Sequence, residues 1–239
     1  MEIAKILLLA LLVSMISLVA FGASAYALSA SFTMNQSTGT AAYQQPFVVQ
    51  FTDTSTGGTP LSYLWDFGDG TNSTLKNPVH AYYDADQYNV TERVTFRQGP
   101  YYATGTVNVL LWANGNVTSP LSLSVANLLN NYPQNAIVNQ TYGAHGAFYQ
   151  MNASGASLNA ILSSMGVKSG ASSVTFYGSD GFNATILLSA IAADNQSMIA
   201  TRWNSSDNSS SDLSGLRDIL PSQTYAQEWV YDLDGFTVS

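Results

Sequence analysis

Two periodicities divide this chain. From Phe47 to Asp53 and from Gln87 to Phe96, apolar and polar residues alternate with period two and Thr, Val, Tyr and Phe are enriched, which predicts half-buried strands. Between them, Tyr63, Trp65 and Phe67 share one parity and would bury a large aromatic face against a second sheet. Gly68-Asp69-Gly70 follows at once and supplies the backbone freedom of a hairpin turn. Tyr101 to Leu111 reads as a closing strand after the Gly99-Pro100 turn, and the polar stretch from Leu28 to Tyr43 as an edge strand or exposed leader.

Beyond Trp112 short helical patterns enter. Val125 to Asn130 predicts a brief helix with Ser124 as N-cap, stopped by Tyr132-Pro133. Leu158, Ile161, Leu162 and Met165 fall at i, i+3, i+4 and i+7 and form one apolar helical face, with Gly166 at the stop. Val174 to Tyr177 and Phe182 to Leu187 flank Gly178-Ser179-Asp180-Gly181 as a hairpin. Asn204 to Ser214 predicts a mobile polar loop, and Leu216 to Leu220 and Trp229 to Val238 predict strands.

A different signal opens the chain. Ile6 to Phe21 is nearly uninterrupted apolar sequence and ends in Ala25-Tyr26-Ala27, the small-x-small pattern of a secretory cleavage site. Residues 1–27 therefore read as a signal peptide for Sec-type export or, uncleaved, as an N-terminal membrane anchor. Ten Asn-x-Ser/Thr sequons agree with export and are glycosylation candidates: Asn35, Asn72, Asn89, Asn116, Asn139, Asn152, Asn183, Asn195, Asn204 and Asn208.

Composition narrows the chemistry. The absence of cysteine excludes a disulfide framework, a thiolate metal site and a cysteine nucleophile. Charged residues make up 9% of the 239, against roughly 25% in ordinary soluble domains. A formal charge of −8 with seven Lys plus Arg leaves no basic patch for nucleic acid. Few ion pairs also leave few carboxylates whose protonation would unfold the protein, which points to an acidic external medium such as an archaeal cell surface.

The motifs allow two resemblances. Phe51-Thr52-Asp53-Thr54-Ser55, Leu61 to Thr71, Asn77-Pro78-Val79-His80-Ala81-Tyr82 and Tyr88-Asn89-Val90 resemble the PKD family, an immunoglobulin-like β-sandwich of cell surfaces. That implies a mostly β fold with the sandwich over residues 44–111. Two positions depart from the family pattern. Asp86 replaces the usual glycine, as a residue tolerant of left-handed backbone, and Glu92 replaces an inward aliphatic, which puts the local strand register in question. Residues 112–239 predict a small α+β domain. Leu158 to Gly166, Val174-Thr175-Phe176, Ser179-Asp180-Gly181-Phe182, Gly215-Leu216-Arg217 and Trp229-Val230 look like the molybdopterin-binding domain of sulfite-oxidase-type oxidoreductases. The family's metal-ligating cysteine is missing, so the resemblance implies a shortened, cofactor-free version of that fold.

Candidate sites are few. Asp66 and Asp69, joined by Asp53 and Asn72, could hold calcium through oxygen ligands; equally, Asp66 and Asp69 could cap the turn amides. His80 fits a packed structural role, and His145 has no nucleophile-elbow serine to serve. Asp232 and Asp234 before Gly235 read as a solvated acidic turn, and Tyr101, Tyr102 and Trp112 as core residues or a sugar-stacking platform. Together these features predict a non-catalytic, exported adhesion or spacer module with surface proteins or glycans as partners and no cofactor beyond calcium. The alternatives are an oxidoreductase-related or metal-dependent enzyme through the C-terminal domain, and a surface-filament subunit. Membrane contact would run only through an uncleaved N-terminal segment.

Overall fold

A computed structural model of the chain describes residues 27–144, 147–205, 216–219, 221 and 230–239. The export segment up to Tyr26, His145 and Asn208 lie outside the described residues. Among those described, no helix is long and apolar enough to cross a membrane.

The alternating segments form strands. The first half comprises β1 (Phe32–Met34), β2 (Thr38–Thr40), β3 (Phe47–Asp53), β4 (Ser62–Asp66), β5 (Asn72–Ser73), β6 (Val79–Tyr82), β7 (Gln87–Phe96) and the long β8 (Gly99–Gly115). One face is the antiparallel sheet β1-β3-β6; the other runs β5-β4-β7-β8, with β2 parallel beside β8. Between them the inward side chains Phe47, Val49, Phe51, Trp65, Phe67, Tyr82, Tyr88, Val90, Val107 and Val109 form one buried cluster. This is an immunoglobulin-like β-sandwich. The polar 28–43 segment supplies β1 and β2, and Phe32 of β1 sits edge-on to Trp65 at 5.1 Å.

Both departures from the family pattern resolve differently from the sequence reading. β7 pairs with β4 and β8 without a register shift, and Glu92 points inward, fully buried, between Val90 and Val94. The flanking aliphatics and Trp65 opposite it hold the register, because a one-residue slip would expose all of them. Asp86 is not left-handed; its Oδ1 accepts the Gln87 N–H at 2.7 Å.

The boundary expected at Leu111 is no break in the chain. β8 continues to Gly115, pairing with β7 along its first part and with second-half strands along its last. The second half contains β9 (Leu121–Leu123), α1 (Val125–Asn131), β10 (Gln134–Ala144), β11 (Ala147–Ser157), α2 (Leu158–Met165), β12 (Ser173–Gly178), β13 (Asn183–Leu187), α3 (Leu188–Ala193), β14 (Met198–Ser205), β15 (Arg217–Ile219) and β16 (Leu233–Val238). β16 lies parallel to the end of β8, followed outward by β12 and β13, so one nine-stranded sheet runs through both halves. β10-β11-β14-β15 form a separate four-stranded sheet.

Local chemistry accounts for the helices. Ser124 and Asn127 form a reciprocal capping box on α1, each side chain accepting the other's backbone N–H, at 3.1 and 3.0 Å. Gly166 ends α2 at φ 63°, a conformation that other residues adopt at a cost. The buried face of α2, Leu158, Ile161, Leu162 and Met165, joins Leu111, Leu128, Phe176, Phe236 and Val238 in the second core. Two expected strands are shorter than the pattern suggested: Arg217–Ile219 and Leu233–Val238. The segment expected as a polar loop begins later, since β14 runs to Ser205; residues 206–215 lie outside the described residues.

Candidate functional site

The acidic turn after β4 is built from its own backbone needs. Gly68 and Gly70 have φ of 83° and 84°, and a Cβ on Gly68 would stand 2.8 Å from the Asn89 backbone, so glycine is required there on both counts. Asp66 Oδ1 accepts the Gly68 N–H at 3.0 Å. Asp69 Oδ1 accepts the Thr71 N–H at 3.0 Å and its hydroxyl at 2.6 Å, and Asp69 Oδ2 lies 2.6 Å from His80 Nε2. Partial burial opposes charge on Asp69, yet the bonds from Thr71 and His80 outweigh it and hold the carboxyl below the usual range. His80 stacks on Phe67 at 4.0 Å, with the rings 3° from parallel, and meets Tyr82 edge-on. The turn is thereby tied to β6.

The four calcium candidates are not brought together. Asp66 is on the solvent side of β4 and Asn72 is exposed on β5, whereas Asp53 turns toward the inward Glu92. Asp53 Oδ1 accepts the Ser55 N–H at 2.9 Å, and its Oδ2 lies 3.6 Å from Lys76 Nζ. Burial works against the Asp53 charge, but Ser55, the Tyr63 hydroxyl and Lys76 together keep its pKa low. Among the described residues no three His, Asp or Glu side chains are grouped as a metal centre requires.

Beside Asp53 stands a residue whose role the sequence pattern did not show. Glu92 is fully buried and neither carboxyl oxygen has a hydrogen bond of ordinary geometry. Burial, followed by the charge of Asp53, pushes it up to about 8. The two adjacent carboxyls therefore behave as a pair sharing one proton, with Asp53 the ionised member. The only signal in the sequence was an acidic residue on the inward parity of β7.

The aromatic residues considered as a sugar platform separate. Tyr101 and Tyr102 are neighbours on β8 and face opposite ways; Tyr101 meets Phe96 edge-on at 5.7 Å, and Tyr102 is exposed. Trp112 is about 33 Å farther along the strand, at ~3.3 Å per residue, and packs on Tyr177 at 5.4 Å. In the second half, Arg217 is buried with its guanidinium between the rings of Trp203 and Tyr231, at 3.6 and 3.4 Å. Asp218 beside it accepts the Val230 N–H and, buried, is raised to about 7. Asp232 and Asp234, expected as a solvated turn, are instead part of the packed structure: Asp234 is 1% exposed within β16, next to an irregularity in its pairing with β12.

A β-sandwich carrying a polar hairpin, with no group of metal-ligating side chains among the described residues, is the class that this geometry defines. Residues 30–110 match the family model described as the PKD domain. A microbial collagenase of Vibrio alginolyticus is 41% identical over 73 residues, 30% of this chain and 9% of that protein. The chain thus spans less than a tenth of the length of the curated relatives it matches. The PKD1 domain of the Vibrio cholerae metalloprotease PrtV is 32% identical, covering 35% of this chain and 96% of that domain, with a TM-score of 0.30. The sulfane dehydrogenase SoxCD of Paracoccus pantotrophus is 17% identical, covering 62% of this chain and 46% of that one, with a TM-score of 0.44.

Proposed function

We propose that this chain is an exported surface protein acting as a non-catalytic spacer and adhesion module. The observation that carries this reading is β8. Seventeen residues long, it sends Val107 and Val109 into the sandwich core and Leu111 and Ala113 into the second core, giving the halves a fixed mutual orientation instead of a linker. A PKD-type half, of the kind found in collagenase and protease relatives, supports an extracellular setting. Glycans and surface proteins are the partners that a weakly charged surface suits, met at sheet edges such as β6 and β13, where Val79 and Leu187 are exposed. Exposed Asn35, Asn72, Asn89, Asn139, Asn183 and Asn195 are the accessible glycan acceptors; Asn116 and Asn152 are half-buried, and Asn152 Oδ1 already accepts the Asn139 N–H.

We read the second half, on its sequence resemblance, as a cofactor-free form of the molybdopterin-binding fold. The chain has no cysteine to ligate molybdenum, and Arg217, the basic residue that fits the family pattern, is buried with its guanidinium carbon over the rings of Trp203 and Tyr231. The donor set does not fit the cofactor.

Metal analysis and calorimetric titration of purified protein test this reading. The expected result is no stoichiometric molybdenum and no pterin fluorescence. Calcium should give no heat and no rise in melting temperature, because the oxygens of Asp66 and Asp69 that face the turn already accept its amides. Stoichiometric molybdenum would overturn the non-catalytic reading, and a calcium-dependent rise in melting temperature would restore a cation site to the turn.

A further inference from the structure

Lys76 and Asp53 are brought together by their neighbours and not by charge alone. Asn77, next to Lys76, accepts the Asp53 backbone N–H on its Oδ1 at 2.9 Å. Leu75, on the other side of Lys76, offers its carbonyl to the indole N–H of the buried Trp65, also at 2.9 Å. With both flanks pinned to strands of the sandwich, the Lys76 backbone is fixed, and its Nζ stands 3.6 Å from Asp53 Oδ2. Lys76 reaches in from solvent, its side chain 58% exposed, whereas the Asp53 side chain is 3% exposed.

A second carboxyl lies on the inner side of Asp53. Phe47, Val49, Phe51 and Asp53 share the inward parity of β3, and Glu92 has the inward parity of β7. Phe51 meets Trp65 across the sandwich at 5.4 Å, and Trp65 is the strand partner of Glu92, so Asp53 and Glu92 face one another beside that contact. Glu92 has no exposed surface, and its raised pKa of about 8 makes it an acid at neutral pH. Asp53 Oδ1 accepts the Ser55 N–H at 2.9 Å, and the Tyr63 hydroxyl bonds to the same carboxyl. An amine, a carboxyl shielded from water and a buried acid against that carboxyl are the groups that amide condensation requires.

We infer that Lys76 and Asp53 condense to an intramolecular amide, with the ion pair as its precursor and Glu92 as the catalytic acid–base. In the precursor Lys76 is an ammonium, Asp53 a carboxylate and Glu92 a carboxylic acid. Passing one proton from Lys76 to Asp53 makes all three neutral, the form that a buried setting favours. Lys76 Nζ then attacks Asp53 Cγ, and negative charge develops on Oδ1, where the Ser55 N–H already points. Glu92 relays the proton of the attacking nitrogen to Oδ2, which leaves as water. One C–N bond forms, one C–O bond breaks, and Glu92 ends protonated as it began; no oxidant or cofactor enters. An effective molarity of about 10⁵–10⁸ M for well-oriented groups offsets the preference of dilute amines and acids to stay apart in water. The amide closes residues 53–76, which include β4 and β5, into a covalent ring anchored on β3 of the facing sheet.

Peptide mapping of the full chain, produced without glycans and kept folded at pH 7, tests this. Trypsin cuts after a free lysine and not after an acylated one. The expected product is therefore a peptide that runs uncut through Lys76 to Arg93, lighter by one water, with fragment ions assigning the link to Lys76 and Asp53. Lys76→Arg, at an exposed position, should restore the full mass, and Glu92→Gln should slow the loss of water by about a hundredfold or more. Complete cleavage after Lys76 at full mass in the wild type would overturn the inference. So would a loss of water that persists in Lys76→Arg, which would belong to an aspartyl–glycine succinimide elsewhere. An undiminished rate in Glu92→Gln would overturn the role given to Glu92. Because Lys76→Arg keeps a cation beside Asp53 without the amide, it is the background in which the effect of Glu92 on stability is measured.

Discussion

Trp65→Ala should destabilise the first half by about 3–5 kcal/mol, the usual cost of truncating a buried tryptophan. Trp65 is fully buried, packs against Phe32 at 5.1 Å and Phe51 at 5.4 Å, and donates its indole N–H to the Leu75 carbonyl at 2.9 Å. Alanine would leave a cavity between the two sheets and strand that carbonyl. At roughly 2–4 °C per kcal/mol for a chain of this size, the melting temperature should fall by about 6–20 °C. Tyr102→Ala, on the exposed side of β8, is the control and should stay within about 0.5 kcal/mol. A Trp65→Ala protein that melts with the wild type would mean that the β4 aromatic does not organise this core.

Glu92→Val should act in the opposite direction. Valine fills a similar volume, matches Val90 and Val94 on the same face, and removes a buried carboxyl whose neighbour is the like-charged Asp53. Replacing a buried ionisable group by a well-packed apolar one is worth about 1–4 kcal/mol when it stabilises. The gain should depend on pH. With Glu92 at about 8 in the folded protein against an ordinary 4.5, the wild type is progressively destabilised as pH rises from about 4.5 to about 8. Glu92→Val should therefore gain most in denaturant melts at pH 8–9 and least near pH 4.5. Glu92→Gln separates charge from polarity, since it should lose the pH dependence while still burying a polar amide beside Asp53. A Glu92→Val protein whose gain is the same at both ends of that range would show that the carboxyl is not held protonated.

The parts of the fold that local chemistry dictates were legible in the sequence. The alternation in β3 and β7, the Gly68-Asp69-Gly70 turn, the apolar face of α2 and the Ser124 cap each depend on residues within one turn or strand. What escaped depends on distant residues. Glu92 raised a question of register because the pattern does not show that Asp53, thirty-nine positions earlier, takes the charge while Glu92 keeps the proton. Asp234 looked like part of a solvated turn because acidic residues before glycine usually are; it is buried because β16 is a central strand, paired with β12 on one side and with β8 on the other. Leu111 looked like a domain end because composition changes after it, while the backbone pairing that carries β8 onward comes from β16, more than a hundred residues later. The calcium candidates were grouped by their acidic chemistry, and strand parity then put Asp66 and Asp53 on different faces.

The central claim is that β8 makes the two halves one stiff unit, and the absence of native cysteine allows a clean test. Spin labels on Thr74→Cys in the first half and Ser189→Cys on α3, both exposed positions, give the inter-half distance by pulsed dipolar spectroscopy at pH 5. A single narrow distance distribution is the predicted result. A broad or bimodal distribution, with each half still folded, would show that the halves swing independently and would contradict the account.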